Sequence, residues 1–383
     1  MTPSQSHFRI SASGLFFIQG FSVVTWASRL VDVKQKFGLS DGELGMLLLL
    51  PPAAQLAMMG VSGWLVRRFG SMRVARVAAV LLPLLLPMLG TASSIWTLGC
   101  LMFLFGMATN LSNIAANTQG LQVERLYGKS IMASFHGWWS IGGTCAILFS
   151  MMMVRCGNGL QDNFIAAWVI CLVIYALIFR SLLPQDSVAK TSKAPTEATR
   201  RWNAFLVLVG LVCFGALGCE GSLNNWVTPY FQSEVAPPEH LIRIGYFAYM
   251  LAATCCRFAA DFLVRKWGNF KTIRFAGVMI FAGLSLIIAF PQLLIASLGC
   301  LLTGLGTAAV VPICYSIVGK YGKGSLPVAL SIVNGISFIG FLLMPAVVGG
   351  IANYLGLRIA FAAMGMVCVA TNCLIIPVER RSA

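Results

Sequence analysis

Glu220 has the clearest chemical potential of any side chain in these 383 residues. It lies in the apolar run VGLVCFGALGCEGSLNNW, about 16 residues into a predicted helix, or roughly 24 Å along it at 1.5 Å per residue. The other carboxylates, Asp32, Asp41, Glu43, Glu124, Asp162, Asp186, Glu197, Glu234, Glu239, Asp261 and Glu379, map to loops or helix ends. A low dielectric disfavours the charged form of a carboxyl, so a lone deep acid is suited to exchanging a proton near neutral pH. Two other uses fit the same residue: a hydrogen bond across helices, or capture of a solute hydroxyl or amine.

Uncharged polar side chains recur at helical spacing. Asn110, Asn113 and Asn117 share one face of a predicted fourth helix, Glu220 and Asn224 one face of the seventh, with Asn225 adjoining, and Gln19, Ser22, Trp26 and Arg29 one face of the first. Asn334 falls in the inner half of the eleventh. Amides donate and accept, which suits a hydroxyl-rich ligand. Interhelical hydrogen bonding explains the same residues without a ligand. Trp26, Trp138, Trp139, Trp226 and Tyr315 offer flat rings that would cover the apolar face of a sugar, while membrane Trp also serves as an interface anchor. Arg29 and Arg257 would instead draw an anion if both faced a cavity. His136, beyond Glu124 and Arg125 at the end of the fourth helix, is a candidate proton relay or gate element, with a packed, hydrogen-bonded histidine as the alternative. Arg257, Asp261 and Arg265 stand four apart on one helix face, as a latch or as a structural ladder of ion pairs.

The elements that must position these residues follow from hydropathy. The chain is 58% hydrophobic and 10% charged, with mean hydropathy +0.83, whereas a soluble domain carries about a quarter charged residues. Apolar stretches of about 20 residues, the length that crosses a bilayer, recur throughout. They predict helices near 10 to 31, 42 to 66, 74 to 92, 97 to 122, 130 to 154, 164 to 183, 204 to 230, 242 to 264, 272 to 290, 293 to 318, 326 to 350 and 355 to 377. The first reads as a retained helix, since no small-residue cleavage site follows a short apolar core.

The net charge of +15 is distributed by side. Arg67, Arg68, Arg73, Arg76, Arg265, Lys266, Lys271 and Arg274 are among many cations on one face. Only Arg29, Lys34, Lys36, Arg155, Arg243 and Arg358 fall on the other. This bias predicts cytoplasmic termini and accounts for the charge without a nucleic-acid partner. The twelve cysteines lie mostly in apolar spans without metal-ligand spacing, so neither a disulfide framework nor a metal is expected, and Cys156 alone reads as loop-exposed. No Walker loop is present, which argues against ATP hydrolysis. Gly142-Gly143 and Gly349-Gly350 read as helix-packing positions.

Linker composition appears once, in PQDSVAKTSKAPTEATR. It divides the chain into residues 1–183, a cytoplasmic linker 184–203, and residues 204–383. The halves echo each other: GWLVRRFG (Gly63 to Gly70) recurs as DFLVRKWG (Asp261 to Gly268), 198 residues on, and Tyr127-Gly128-Lys129 recurs as Tyr321-Gly322-Lys323. Duplicated six-helix bundles suit alternating access about a midplane site.

With its six-plus-six helices, central linker and Gly-x-Leu-x-x-[Arg/Lys]-x-Gly loop, the chain resembles the major facilitator superfamily along its whole length. Arg67 stands where that loop usually has an acid, which puts the usual clasp of the first half in question and makes Arg67 and Arg68 candidate gating residues. TWASRL (Thr25 to Leu30), NTQGLQVERLYGKSIMASFHGWWSIGG (Asn117 to Gly143) and EGSLNNW (Glu220 to Trp226) are similar to a poorly characterised branch of bacterial inner-membrane proteins near the fucose-proton symporter group. That branch would have an Asp before the last Trp; Asn225 stands there instead. The resemblance implies an all-α fold of two pseudo-symmetric bundles, with the first, fourth, seventh and tenth helices lining a cavity.

The expectation is therefore a monomeric, multi-pass carrier in a bacterial inner membrane, not an enzyme, without a cofactor and driven by the proton gradient. Its solute would be a small polar molecule, a sugar or sugar derivative first. An organic-anion or sugar-acid carrier, an exporter of amphiphilic compounds served by 25 Phe and 17 Met, and a non-transporting membrane sensor are the alternatives.

Overall fold

The computed structural model describes residues 5–128, 131–184, 204–321 and 326–382. Among them every regular element is helical, as hydrocarbon demands, because a helix satisfies its backbone polar groups within one segment. Twelve helices are long and apolar enough to cross a bilayer, the number expected. They are α1 (Gln5–Ser28), α2 (Asp41–Phe69), α3 (Ser71–Thr91), α4 (Ile95–Tyr127), α5 (Met132–Arg155), α6 (Leu160–Ser181), α7 (Ala204–Val235), α8 (Ile244–Trp267), α9 (Asn269–Ala289), α10 (Leu293–Tyr321), α11 (Leu326–Leu355) and α12 (Leu357–Arg381).

Local chemistry sets the ends. Ser40 and Glu43 form a reciprocal box at the start of α2, Ser40 N–H donating to Glu43 Oε2 at 2.9 Å and Glu43 N–H to Ser40 Oγ at 3.2 Å. Ser94 Oγ accepts from Thr97 N–H at 3.1 Å at the start of α4. The duplicated GWLVRRFG and DFLVRKWG segments end on Gly70 and Gly268, whose φ values of 85° and 79° favour glycine. Each glycine closes one helix, donating to Val66 O or Val264 O, and opens the next. The second echo lies partly outside the described residues, at Lys129, Gly322 and Lys323.

Three predicted helices are interrupted or bounded differently. The first ends at Ser28, and Arg29 separates it from a short helix, Leu30–Phe37. α2 breaks near Leu48 and Leu49, because Pro51 and Pro52 supply no N–H to the carbonyls one turn earlier; α10 breaks at Ala308 and Ala309, ahead of Pro312, for the same reason.

The chain forms two compact units, Met1–Gly38 with Leu47–Lys190, and Leu39–Met46 with Thr191–Ala383. The start of α2 thus groups with the second unit, where Gly42 N–H donates to Asn353 Oδ1 at 3.4 Å. Residues 185–203, most of the expected linker, lie outside the described residues. Packing within each unit repeats: α1 on α5, α2 on α4, α3 on α4 and α6 in the first; α7 on α11, α8 on α10, α9 on α10 and α12 in the second. One contact is duplicated atom for atom. A Cβ on Gly142 of α5 would overlap Phe17 O of α1, and a Cβ on Gly340 of α11 would overlap Phe214 O of α7. The two glycines are 198 residues apart, the offset of the loop repeat. Backbone-to-backbone approach at small residues is how helices associate where lipid removes the hydrophobic drive. Gly349 is likewise close-packed, against Trp226, while Gly350 meets nothing within 4 Å.

All twelve cysteines are free thiols. Cys213 and Cys314 pack in the second unit's core with Val209, Ile313 and Val333. Cys100, Cys255 and Cys373 are exposed as well as Cys156, because they sit on outward faces of spanning helices.

Candidate functional site

In the second unit the deep acid has a partner. Glu220 Oε1 on α7 accepts from Arg257 Nη2 on α8 at 2.8 Å, with side chains 16% and 23% exposed. This corrects the picture of a lone carboxylate, and Arg257 reaches toward α7 rather than only along its own helix. The physical reason is economy of charge: two opposite charges on neighbouring helices at membrane depth stabilise each other far more than either could be stabilised by apolar surroundings. The side chain of Asp261 lies outside the described residues, and Arg265 is exposed near the end of α8.

Two tyrosines that sequence reasoning passed over share α8 with Arg257. Tyr246 and Tyr249 on α8 are buried, and both lie within electrostatic range of Glu220. The Tyr249 hydroxyl shares a 3.1 Å hydrogen bond with Thr307 Oγ1, immediately before the α10 break. The segment GYFAYM carried a signal, two hydroxyls three apart within an apolar span, but nothing local pointed it at Glu220.

The candidate amides separate. Asn224, one turn beyond Glu220, keeps a buried Oδ1 with no hydrogen-bond partner among the described residues. Asn225 Nδ2 donates to Gly221 O of its own helix at 2.7 Å. Trp226 is fully buried, and its indole N–H donates to Pro345 O on α11 at 2.8 Å, so it fastens two helices and offers no ring face. Beyond the α10 break, the Tyr315 hydroxyl donates to Asn334 Oδ1 on α11 at 2.9 Å.

The first unit treats its candidates similarly. Gln19 is buried, and Trp26 is packed between Phe105 and Phe164, ring centroids 6.3 and 6.2 Å away, which makes it core and removes it as a sugar platform. Arg29 directly follows the last residue of α1 and is 1% exposed, with Nη2 at 3.1 Å from Asp32 Oδ1. On α4, Asn117 Nδ2 bonds Asn113 O at 2.9 Å and also Asn113 Oδ1. Asn110 is 8% exposed, and its Oδ1 has no partner among the described residues. Trp139 is half-buried on α5.

Of the gating candidates, Glu124 accepts from the backbone N–H groups of Ile131 and Met132 at 2.7 and 2.8 Å. It is an anionic cap on α5, neutralising the positive end of that helix. His136 is exposed and meets the Phe16 ring edge-on at 5.2 Å. Arg67 and Arg68 are exposed at the end of α2. A residue missed by sequence is Gln119: buried, it donates to Ser71 Oγ at 2.7 Å and Leu183 O at 3.1 Å and accepts from Leu183 N–H at 3.0 Å, tying α4 to α3 and the end of α6. It stands two positions after Asn117 on a different face, where amide spacing alone does not separate hub from cavity.

An all-helical chain of two six-helix units, packed by the same pairings and carrying an ion pair at membrane depth, has the build of a solute carrier. Residues 10–302 match the family profile described as Major Facilitator Superfamily, and the chain belongs to that family. It is similar to an uncharacterised MFS-type transporter of Yersinia pestis, 27% identical over 375 residues, 98% of this chain and 95% of that protein. It is also similar to the cis,cis-muconate transport protein of Acinetobacter baylyi, 24% identical over 376 residues, 91% and 88% of the two chains. Among solved structures, the nucleoside transporter NupG superposes with a TM-score of 0.74 at 13% identity, over 98% of this chain and 99% of that one. At that identity the likeness speaks for fold alone. The protein is thus a multi-pass membrane transporter, not an enzyme, and moves a small-molecule solute.

Proposed function

We propose that this chain is a proton-linked carrier of a small polar solute, in which Glu220 and Arg257 form the coupling element. The observation that carries this reading is their 2.8 Å ion pair, mostly shielded, between two spanning helices. Protonating Glu220 removes one charge of the pair and leaves a guanidinium in a poorly solvating environment. A solute bearing a carboxylate restores the balance, so binding of the proton and of the anion favour each other. Release of the solute on the other side then favours re-formation of the pair and loss of the proton.

The order of solutes changes accordingly. An organic anion or sugar acid comes first and a neutral sugar second, because Trp26 and Trp226 are packed inside the protein and protonation of Glu220 would let a solute carboxylate take its place beside the guanidinium. The muconate relative, named for a dicarboxylate, supports that order. Open amide acceptors at Asn110 and Asn224 suit hydroxyl groups in either class. The positive-inside distribution supports cytoplasmic termini in a bacterial inner membrane.

The test is uptake into proteoliposomes under an imposed pH gradient, with panels of organic anions, sugar acids, neutral sugars and cationic dyes. Accumulation of anions that collapses with the gradient is the expected result. Movement of neutral sugars alone restores the sugar reading, movement of dyes alone points to efflux, and no movement by a folded protein favours a sensor.

A further inference from the structure

We propose that a notch between α9 and the end of α12 binds one phospholipid with an anionic headgroup. The notch is a cavity of about 270 Å³. Arg274, in the second turn of α9, stands at one end, and Val278, Phe281, Val369, Cys373 and Ile376 form the apolar body. Val278 and Phe281 are 57% and 58% exposed, so their side chains point away from the bundle; on a spanning helix, outward means toward acyl chains. Asn372, the polar group in the wall, is spent on the protein: it folds onto Gly277, and its Nδ2 donates to Ile273 O at 3.4 Å. The cavity is therefore apolar along its length and cationic at one end, the same polarity as a phospholipid.

Charge decides which phospholipid. Arg274 Nη2 pairs with Glu379, which leaves other donors of the planar guanidinium for a phosphate oxygen. Lys271, Arg380 and Arg381 are exposed on the same helix ends, four cations with Arg274 against the one carboxylate of Glu379. That excess is the pattern by which basic pockets between membrane helices hold anionic headgroups. A free phosphate would satisfy the cations and leave the apolar body unfilled, and a zwitterionic lipid would bring its own cation toward them. The proposal needs only a bilayer around the protein and does not rest on the coupling role of Glu220.

The experiment is native mass spectrometry of the full-length protein in detergent, titrated with phosphatidylglycerol, with phosphatidylcholine of the same chains, and with inorganic phosphate. The first phosphatidylglycerol should be held about five-fold more tightly than phosphatidylcholine, the equivalent of one cation at the membrane surface. Inorganic phosphate should not be retained. Arg274→Gln should remove the preference, and Val278→Trp, which fills the notch, should weaken both lipids. Glu379→Gln breaks the same ion pair but leaves the guanidinium, so it should retain or strengthen phosphatidylglycerol binding. Equal binding of the two lipids, retention of phosphate alone, an unchanged Arg274→Gln variant, or equal loss in Glu379→Gln and Arg274→Gln would each overturn the proposal.

Discussion

Cutting the Glu220–Arg257 pair one residue at a time and then together tests whether the two side chains act as a unit. The atoms approach to 2.8 Å, which places the charge centres about 4 Å apart and gives roughly 4 kcal/mol of Coulomb attraction at an effective dielectric near 20. Desolvation of both groups and the remaining exposure of 16% and 23% reduce this. A coupling energy of about 1–3 kcal/mol should survive. Arg257→Gln takes from Glu220 the cation on α8, and Glu220→Gln takes from Arg257 the carboxylate on α7. Each should destabilise the folded protein by roughly 2 kcal/mol, while the double variant recovers much of that loss. Thermal unfolding in detergent reads the stability arm, and proteoliposome uptake reads the coupling arm. In the second arm, Glu220→Gln should lose pH-driven accumulation yet still exchange solute across the bilayer without a gradient. Additive stability losses, or full pH-driven accumulation by Glu220→Gln, would refute the reasoning.

Three further perturbations probe the frame around the pair. Trp226→Phe removes the donor to Pro345 O and should cost about 1–2 kcal/mol in thermal unfolding while leaving the range of solutes unchanged; an altered range would return Trp226 to the binding surface. Glu124→Ala uncaps α5 and should destabilise by about 0.5–2 kcal/mol, with faster hydrogen exchange in the first turn of α5 as its local signature. Gly142→Ala and Gly340→Ala each drive a methyl group into a facing carbonyl and should each cost about 1–3 kcal/mol, whereas Gly350→Ala enters open space and should be neutral. Equal effects at the three glycines would show that the close approach of α1 to α5 and of α7 to α11 is not what stabilises the units.

The sequence was most legible where the physics is local. Twelve apolar stretches of about 20 residues fit spanning helices, which satisfy their backbone polar groups within one segment in lipid, and the repeat of GWLVRRFG as DFLVRKWG already marked the shared turn that Gly70 and Gly268 make. The proline breaks in α2 and α10 were also legible in principle, because each rests on an N–H that the sequence itself omits. Amide stripes were less informative. Asn113 and Asn117 share a face as their spacing required, but they bond each other; Asn225 bonds its own helix, and Asn110 and Asn224 keep an open acceptor.

Hydropathy, charge placement and internal repetition therefore determined by themselves that this chain crosses a membrane many times as two related halves, because those properties depend on neighbours along the chain and on the solvent. Which charges meet was left to tertiary structure. Arg257 is 37 residues from Glu220 and only four from Asp261, and along the sequence the nearer acid is the natural partner. The packing of α8 against α7 brings the guanidinium to the deep carboxylate, and that meeting turns an isolated acid into one member of a pair.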